Sequence, residues 1–431
     1  MSCSQNQFLT DLFDAAVDAA DPETALSACL PAKPKGRTVV IGAGKGAAQL
    51  AAAFETLWQG PLSGVVVTRY GYAVPCQTLT VLEAAHPVPD QNGLAASAAL
   101  FEAVKDLTPD DLVVALICGG GSSLLPAPMA GLTLDDEIAL NKALLASGAP
   151  ISVMNLIRKQ ISRIKGGQLA QAAAPAKVIS LIVSDVPGDN PAQVASGPTV
   201  ADPTGPAEAL AAIRTYGIAL PRNLQRFIER LPKTSPLVVT PDDGNEVHII
   251  ASASKSLEAA ARVAEAQGVR AVVLSDAIEG EAREIAKMHA AMACQIVDQN
   301  RPFVAPVVML SGGETTVTLG GLGGLGGLGG RGGRNTEFLL SFAREIEGRD
   351  TIFALAADTD GIDGSEQNAG AFCSGQTSVA MRQAGIDPSD ALMRHDAWTA
   401  FDAIDALFAP GPTGTNVNDF RAIYITSSAR G

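Results

Sequence analysis

The stretch TVVIGAGKGAA, residues 38–48, decides the fold of this chain. A run of four β-formers ends in a glycine-rich turn, and an alanine-rich segment with the composition of a helix follows at once. A strand that is apolar at every position is typical of a parallel sheet covered on both faces. The same pattern recurs further along the chain in GVVVTRYG (64–71), LTVLEAAH (79–86), LVVALICGGG (112–121) and VISLIVSDV (178–186).

Helical segments separate these apolar runs. They are predicted at residues 45–58, 92–106, 134–146 and 152–173. Strands that alternate with helices form βαβ units, whose right-handed crossovers bring the loops after the strands to one edge of the sheet. The first half of the chain therefore predicts an α/β fold, with a Rossmann-like parallel sheet and helices on both of its faces.

A proline-rich segment, residues 187–245, interrupts this alternation, and a second set of α/β elements follows it. Strands are predicted at 247–254, 269–276, 305–313, 315–320, 351–360 and 421–426, and helices at 255–267, 278–297, 336–347 and 376–384. The run TTVTLG (315–320) is expected to lie antiparallel to its neighbour, which makes this second sheet mixed. Because 431 residues are too many for one hydrophobic core, we predict an N-terminal domain over 1–235 and a C-terminal α/β domain over 236–431.

The composition narrows the class of protein. Apolar residues make up 47% and charged residues 18% of the chain, as in folded globular proteins. The net charge of −14 argues against a broad basic face for nucleic acid. No apolar stretch reaches the roughly 18 residues of a membrane span, and the N-terminal MSCSQNQFLTDLF lacks the features of a secretory signal. We therefore expect a cytoplasmic protein with no nucleic-acid or membrane partner; its oligomeric state stays open, with a homodimer as one option.

The turn GAGKGAA (42–48) is the first candidate for a ligand site. Glycines allow the backbone to turn tightly, and N–H groups at the start of a helix can hold an anion. Gly44 and Lys45 lie in the turn, where the lysine can place a point charge on a phosphate. The pattern is a loose match to a dinucleotide fingerprint and is not a Walker A motif. A tight turn with an exposed lysine is the structural alternative.

The segment ICGGGSSLL (117–125) combines three glycines with two hydroxyls at the end of an apolar run. Glycine permits close approach of a ligand, and serine hydroxyls offer donors to anionic oxygens. A nucleophilic serine is disfavoured because the GxSxG motif is absent and the chain has only four histidines. His86, in EAAHPVPD, also follows a strand and is a candidate for the edge of the site. The other candidate binding residues here are Gly119, Gly120, Gly121, Ser122 and Ser123.

The segment SDVPGDNPAQVASGPTVADPT (184–204) is the richest in candidate groups. Asp185 and Asp189 flank a Pro-Gly turn just past a strand, where two carboxylates suit Mg²⁺ or a general base. Prolines stiffen this loop and reduce the entropy lost when it is ordered. A surface loop without chemistry is the alternative.

The C-terminal half again combines glycine with charged groups, in SGGET (311–315), GRGGRNTE (330–337) and AADTDGIDGSEQNAGA (356–371). Arg334 can bind a phosphate or a carboxylate with two N–H groups, which lysine cannot. DTDGIDG is rejected as a calcium loop because it lacks the glutamate of an EF-hand and follows a β run. A Gly-Gly-Leu rhythm over 320–330 predicts an extended, mobile loop within the domain. The further candidate binding residues are Ser311, Gly312, Gly313, Asn335 and Asp360.

Motifs distributed over most of the chain point to one family. They are VVIGAGKGA, GVVVTRYGY, EAAHPVPD, ICGGGSSLL, NLIRKQIS with KGGQLA, SDVPGDNPAQVASGPTVADPT, LSGGETTV, GRGGRNTEF and DTDGIDG. In these stretches, from about residue 37 to about residue 375, the chain resembles the glycerate 2-kinase family with a C-terminal MOFRL domain. Members of that family also carry the label hydroxypyruvate reductase.

The resemblance implies a two-domain α/β fold with the active site in the cleft between the domains. It implies transfer of a phosphoryl group from ATP, with Mg²⁺, to the 2-hydroxyl of D-glycerate, giving 2-phosphoglycerate and ADP. By position in the motifs, it assigns catalytic roles to Lys45, Asp189 and Arg334. The sequence departs from the family in the loop before GGRN, which is lengthened here by Gly-Gly-Leu units.

Physical roles follow from this assignment as hypotheses. Asp189 accepts or orients the proton of the substrate hydroxyl, while Lys45 and Arg334 neutralise charge on the transferring phosphoryl oxygens. The GGGSS turn holds the glycerate carboxylate or a phosphate through N–H groups. The candidate Mg²⁺ ligands are Asp189, Glu314 and Asp358, with Asp360 as a further option.

Two other functions stay open at this point. An NAD(P)H-dependent hydroxypyruvate reductase fits the glycine turn at 42–48, but the second strand ends in TRYG without an acid for a ribose hydroxyl. Arg69 in that sequence suits a 2′-phosphate instead. A non-catalytic protein that binds a sugar acid is disfavoured by the density of charged groups in the glycine turns.

Overall fold

The computed structural model describes residues 3–232, 244–318, 330–364 and 366–427. The chain forms two compact units: Pro22–Ile250 is the N-terminal unit, and Met1–Asp21 with Ala251–Gly431 is the C-terminal unit. The predicted boundary at 235/236 differs from this division in two places. It assigns residues 1–21 to the N-terminal domain and residues 236–250 to the C-terminal domain. The domain boundary remains a prediction.

The described residues contain the following elements. The strands are β1 Thr38–Ala43, β2 Ser63–Arg69, β3 Thr80–Ala84, β4 Leu112–Cys118, β5 Lys177–Ser184, β6 Glu246–Ser252, β7 Arg270–Glu281, β8 Val307–Thr316, β9 Ile352–Asp358, β10 Gly370–Ser374, β11 Leu407–Phe408 and β12 Asp419–Ile425. The α-helices are α1 Cys3–Asp18, α2 Pro22–Ser27, α3 Ala47–Leu57, α4 Gln91–Ala103, α5 Gly121–Leu124, α6 Leu134–Ala146, α7 Ile151–Arg158, α8 Gln168–Ala173, α9 Pro206–Thr215, α10 Arg222–Arg230, α11 Ala253–Ala266, α12 Ala282–Gln299, α13 Arg334–Glu345, α14 Thr377–Gln383, α15 Pro388–Met393 and α16 Ala397–Asp402. Two 3₁₀ turns cover Lys159–Ile161 and Val194–Ser196.

The N-terminal unit is built on a sheet with the strand order β3-β2-β1-β4-β5-β6. The strands β1 to β5 pair in parallel, and every residue of β1 and β4 is buried. One face of β1 packs on α4, where Val39 and Ile41 share a core with Leu100. This arrangement confirms the predicted α/β fold. The strand order has a switch point at β1 and β4, where ligands bind in open sheets of this kind.

Two details of this unit differ from the sequence prediction. The run VHIIASAS was assigned to the second set of strands, but it forms β6 at the edge of the first sheet, where the Asn245 side chain accepts a hydrogen bond of 2.7 Å from the Val178 N–H. The helix predicted over 152–173 is broken into α7, a 3₁₀ turn and α8. Gly166 and Gly167, with φ of 65° and 85°, take a left-handed backbone that ends a helix.

The C-terminal unit holds a mixed sheet with the order β11-β10-β9-β12-β8-β7. The pair β7 and β8 is parallel, and the other neighbours are antiparallel, so the predicted mixed sheet is confirmed. Helix α13 buries Phe338, Leu339 and Phe342 against this sheet.

The strand predicted at 315–320 is not a separate element. Thr315 and Thr316 end β8 and pair in parallel with Gly280 and Glu281 of β7, so the antiparallel pairing expected for this run is not found at these two residues. The sequence pattern of a strand does not show whether a Gly-Gly pair interrupts the strand. Here β8 continues through Gly312 and Gly313. Strand β7 also runs further than predicted, to Glu281, so α12 begins at 282 rather than at 278. The Gly-Gly-Leu run at 320–330 lies, except for its last residue, outside the described residues.

No helix in the described part of the chain has both the length and the apolar character needed to cross a membrane.

Candidate active site

The turns after β1 and β4 lie side by side at the switch point of the N-terminal sheet. The Lys45 N–H donates a hydrogen bond of 2.9 Å to the Gly119 carbonyl. Gly44 has a φ of 140°, and a Cβ built on it would lie 2.3 Å from the Cys118 Sγ. Only glycine fits there, because the left-handed backbone and the contact both exclude a side chain.

Three of the predicted site residues meet in this place. Gly120, with a φ of 79°, immediately precedes the short helix α5, and a Cβ on it would lie 3.0 Å from the Lys45 Cγ and 3.2 Å from the His86 Nε2. The half-buried Lys45 ammonium has no hydrogen-bond or ion-pair partner among the described residues. A lysine without a partner beside a glycine-lined backbone is suited to bind an anionic oxygen.

His86 is a neutral member of this group at physiological pH. Burial and, to a smaller extent, the positive charges of Lys45 and Arg69 together lower the pKa of its imidazole to about 4. It therefore offers one N–H donor and one acceptor nitrogen, and it adds no charge to the site.

The two aspartates of SDVPGD lie at and beyond the end of β5, the neighbour of β4. The Asp185 carboxylate lies against Gly119, since a Cβ on that glycine would come 2.0 Å from the Asp185 Oδ2. Asp189 has a left-handed backbone, with a φ of 53°, and its N–H donates to the Val186 carbonyl. Its half-buried carboxylate has no hydrogen-bond partner in the described ranges. An acceptor left open in this way is available for a proton or a cation.

The hydroxyls of the GGGSS segment are both engaged. Ser123 Oγ donates to the Gly120 carbonyl at 3.2 Å, and Ser122 Oγ lies 2.8 Å from Ser196 Oγ. Ser196 in turn donates to the Asn155 Oδ1 at 3.0 Å. Sequence reasoning missed Ser196 and Asn155, although both lie within motifs that carried the family resemblance.

The C-terminal unit places Arg334 at the first position of α13, among carboxylates. Its Nε donates to the Asp419 Oδ1 at 2.6 Å, and its Nη2 donates to the Asp358 Oδ2 at 2.5 Å. The third contact is longer, with 3.9 Å between Nη1 and the Glu314 Oε1. The Arg334 side chain is 25% exposed, so this ion-paired guanidinium still reaches the surface of the unit.

Asp419 is the centre of this network. It is 2% exposed, and its Oδ1 also accepts from the Asn335 Nδ2 at 3.0 Å. Its Oδ2 accepts from the N–H and the hydroxyl of Thr315, at 3.0 and 3.1 Å, and from the guanidinium of the fully buried Arg421. Sequence reasoning missed this residue; the signal was an acid in NVNDF, directly before the last predicted strand.

The two buried carboxylates of the network have shifted pKa values of opposite direction. The pKa of Asp358 is raised well above its usual value, chiefly because the carboxyl is buried. The charge of Arg334 acts to lower this pKa, whereas nearby Asp360 and Asp419 act to raise it. Burial also acts to raise the pKa of Asp419, but the charges of Arg421 and Arg334 outweigh it and lower the pKa. Asp419 is therefore the anion that holds the two guanidinium groups together at neutral pH.

The remaining predicted residues of this unit have structural contacts. Ser311 is 1% exposed, and its hydroxyl lies 3.1 Å from the His289 Nε2. Gly313, with a φ of 121°, passes so close to the backbone of Ile278 that a Cβ would overlap it. Asp360 accepts hydrogen bonds from the Ile362 N–H and the Asn416 Nδ2. A ligand-binding role for these residues and for Gly312 remains a prediction.

The described residues contain no group of three or more His, Cys, Asp or Glu side chains that is arranged to hold a metal ion. Mg²⁺ bound with a nucleotide needs less than such a cage, because phosphates and waters supply most of its ligands beside one or two carboxylates. The open carboxylate of Asp189 and the 58% exposed carboxylate of Glu314 fit that limited requirement.

Comparison with known proteins identifies the family. Residues 8–229 match a family model described as a domain of unknown function, DUF4147, and residues 307–419 match the MOFRL family. A protein of Agrobacterium vitis named "Putative hydroxypyruvate reductase" is 52% identical over 98% of this chain and 95% of its own length. The D-glycerate 2-kinase of Thermotoga maritima is 35% identical over 96% of this chain and 97% of its own length. The chain belongs to the glycerate 2-kinase family with a C-terminal MOFRL domain.

A solved structure of this glycerate 2-kinase family agrees with the fold. The crystal structure of glycerate kinase from Thermotoga maritima matches with a TM-score of 0.88 and 34% identity, over 98% of this chain and 100% of that one. The resemblance of the motifs to the glycerate 2-kinase family is thereby confirmed, and the matched models extend beyond the motifs at both ends.

Proposed function

We propose that this chain is an ATP-dependent kinase that phosphorylates the 2-hydroxyl of D-glycerate, giving 2-phosphoglycerate and ADP. The observation that carries the proposal is the meeting of Lys45, His86 and Gly120 at the switch point of the N-terminal sheet. A lysine ammonium without a partner beside two glycine turns suits phosphoryl transfer, because this reaction depends mainly on positioning and charge. The kinase names of relatives at about one-third identity support it.

The residues of the chain divide the chemistry as follows. Lys45 and the backbone N–H groups of the glycine turns bind anionic oxygens of the substrate or the nucleotide. Asp189, whose carboxylate is open, accepts the proton of the attacking hydroxyl as the phosphoryl group arrives. Asp189 or Glu314 would hold Mg²⁺ together with the nucleotide, and the ion would supply positive charge to the phosphate oxygens.

Arg334 is proposed to neutralise charge on the transferring phosphoryl group. Two carboxylates fix its guanidinium through Nε and Nη2, so its Nη1 is the edge left without a hydrogen bond in the described structure. A guanidinium held in this way loses little entropy when it binds a ligand. The acids around it also favour a phosphate that arrives with its metal over a bare anion.

A reductase is the second candidate, because the relative at 52% identity carries that name. The structure gives the reductase little support at β2, where Arg69 stacks on the Tyr72 ring at 3.6 Å and no acid follows the strand for a ribose hydroxyl. Cytoplasmic location, a homodimer and the lack of nucleic-acid partners remain predictions.

Product analysis separates the two candidates. The protein is incubated with ATP, Mg²⁺ and D-glycerate, and the products are resolved as 2-phosphoglycerate, 3-phosphoglycerate or none. In parallel, NADH or NADPH absorbance is followed with hydroxypyruvate. Formation of 2-phosphoglycerate with ADP is the expected result. Nicotinamide oxidation without any phosphorylated product would reverse the assignment.

A further inference from the structure

A series of hydrogen bonds connects the Arg158 guanidinium to Ser122 through Asn155 and Ser196. The guanidinium determines which group donates in each of these bonds. Arg158 Nη1 lies 3.0 Å from the Asn155 Oδ1, and a guanidinium can only donate. The other side of this amide, Nδ2, lies 3.1 Å from the Gln193 backbone carbonyl, which can only accept. Both contacts place the oxygen of the Asn155 amide toward Arg158 and Ser196.

Ser196 must then donate to Asn155. Its hydroxyl is 3.0 Å from the Asn155 Oδ1, which can only accept, and a hydroxyl has one hydrogen. Because that hydrogen is used, Ser196 can only accept from Ser122, whose oxygen is 2.8 Å away. The Ser122 hydrogen therefore points inward, away from any ligand.

The backbone that presents Ser196 is held in an uncommon conformation. Ala195 and Ser196 have φ values of 52° and 61°, and Gly197 follows with 59°. Non-glycine residues take this left-handed region at a cost in free energy, and such positions concentrate at functional sites. Ser196 is 2% exposed, whereas Ser122 is only half-buried, so the chain of hydrogen bonds leads from a buried residue to one that is partly exposed.

We propose that Ser122 recognises a hydroxyl group of the substrate as a hydrogen-bond acceptor, and does not donate to its carboxylate. This inference rests on the proposed kinase function and makes Ser122 a specificity-determining residue within it. The proton of the 2-hydroxyl is assigned to Asp189, so the acceptor at Ser122 serves the 3-hydroxyl. Ser123 offers no alternative donor, since its hydrogen is directed to the Gly120 carbonyl. The carboxylate is left to Lys45 and the backbone N–H groups.

The test compares kcat/KM for D-glycerate and D-lactate, which has the same configuration but lacks the 3-hydroxyl. Wild-type enzyme should prefer D-glycerate by about tenfold, the usual effect of one neutral hydrogen bond. The analogue with fluorine at carbon 3 should be no better than D-lactate, because fluorine cannot donate. Ser122→Ala should bring the ratio of D-glycerate to D-lactate close to one.

Two further variants identify the direction of the bond. Ser196→Ala keeps the Ser122 hydroxyl but releases its hydrogen, so Ser122 can also donate and the discrimination against the 3-fluoro analogue should weaken. Ser123→Ala is the matched control for the ratio, which should stay at the wild-type value. A ratio unchanged by Ser122→Ala, or a 3-fluoro analogue used as well as D-glycerate, overturns the inference. Failure of wild-type enzyme to phosphorylate D-glycerate would instead refute the kinase proposal itself.

Discussion

Replacing Asp419 by asparagine tests the buried network around Arg334. The change keeps the shape of the side chain but removes the charge between two guanidinium groups, Arg334 and Arg421. One carboxylate oxygen also becomes an NH₂ group. In one orientation of the new amide this group faces the donors of Thr315 and Arg421, and in the other it faces those of Arg334 and Asn335. Both orientations of the new amide leave buried donors without an acceptor.

The expected cost follows from burial. Asp419 is 2% exposed and Arg421 is fully buried, so the charges are not screened by solvent. Removing one partner of a buried ion pair costs about 3–5 kcal/mol of unfolding free energy. In a unit of this size that corresponds to a decrease in Tm of roughly 6–20 °C.

The assay should report the C-terminal unit alone. Trp398 lies in this unit and stacks on the Arg331 guanidinium at 3.5 Å, whereas Trp58 lies in the N-terminal unit. Unfolding in urea is therefore followed by tryptophan fluorescence in a Trp58→Phe background. Asp390→Asn is the matched control, because it breaks an exposed pair with Arg394 and should cost less than about 1 kcal/mol.

The pH dependence gives an independent check of the same variant. The folded-state pKa of Asp419 is lowered, so its contribution to stability is present above its unfolded pKa of about 3.9 and is lost as the pH falls through the folded value. The difference between wild type and Asp419→Asn should therefore shrink in acid. A decrease in stability at pH 7 that matches the exposed control would refute the reasoning.

Three other changes test separate parts of the chain. Asp189→Asn should lower kcat by about 10²–10⁴ while Tm stays unchanged, and turnover near the wild-type rate would remove its assigned role. Gly120→Ala should weaken substrate binding, because its Cβ would meet Lys45; Gly131→Ala, with a similar φ of 90° and nothing within 4 Å, controls for backbone strain. His289 is buried, and burial lowers its pKa to about 4, so its neutral form contributes stability that is full above pH 6.5 and lost toward pH 4. His289→Gln should flatten the dependence of the unfolding free energy on pH in this range, a change of up to about 3 kcal/mol. The unfolding free energy is measured by urea titration at several pH values, and an unchanged dependence on pH in the variant would contradict the assignment.

Local patterns were enough to predict most elements of the fold. The apolar runs that became β1 and β4 are buried on both faces, which is why they contain no alternating polar positions. The glycine turns were also readable, because Gly44 and Gly120 take conformations that other residues adopt at a cost. Lys45 and His86 could be placed near the site because both follow strands whose ends share one edge of a parallel sheet.

Pairing between distant segments could not be predicted in the same way. The sequence at 247–254 indicated a strand, but its place beside β5 depends on contacts such as that of Asn245 with Val178. The break in the helix predicted over 152–173 follows from left-handed glycines whose conformation is stabilised elsewhere, since the Gly167 N–H donates to the Gly197 carbonyl. Such contacts join residues that have no relation in the linear pattern.

The sequence by itself therefore determined the α/β class, the positions of the glycine turns and the family. Only the tertiary structure decided what each polar group does. Arg334 was recognised by its motif, but the acid that holds it, Asp419, is 85 residues away along the chain. Ser122 was expected to donate to a ligand, yet the buried chain through Ser196 makes it an acceptor. The physical reason is that the residue type gives the charge of a side chain. The partners of the side chain and the direction of its hydrogen bonds are established only when the chain folds.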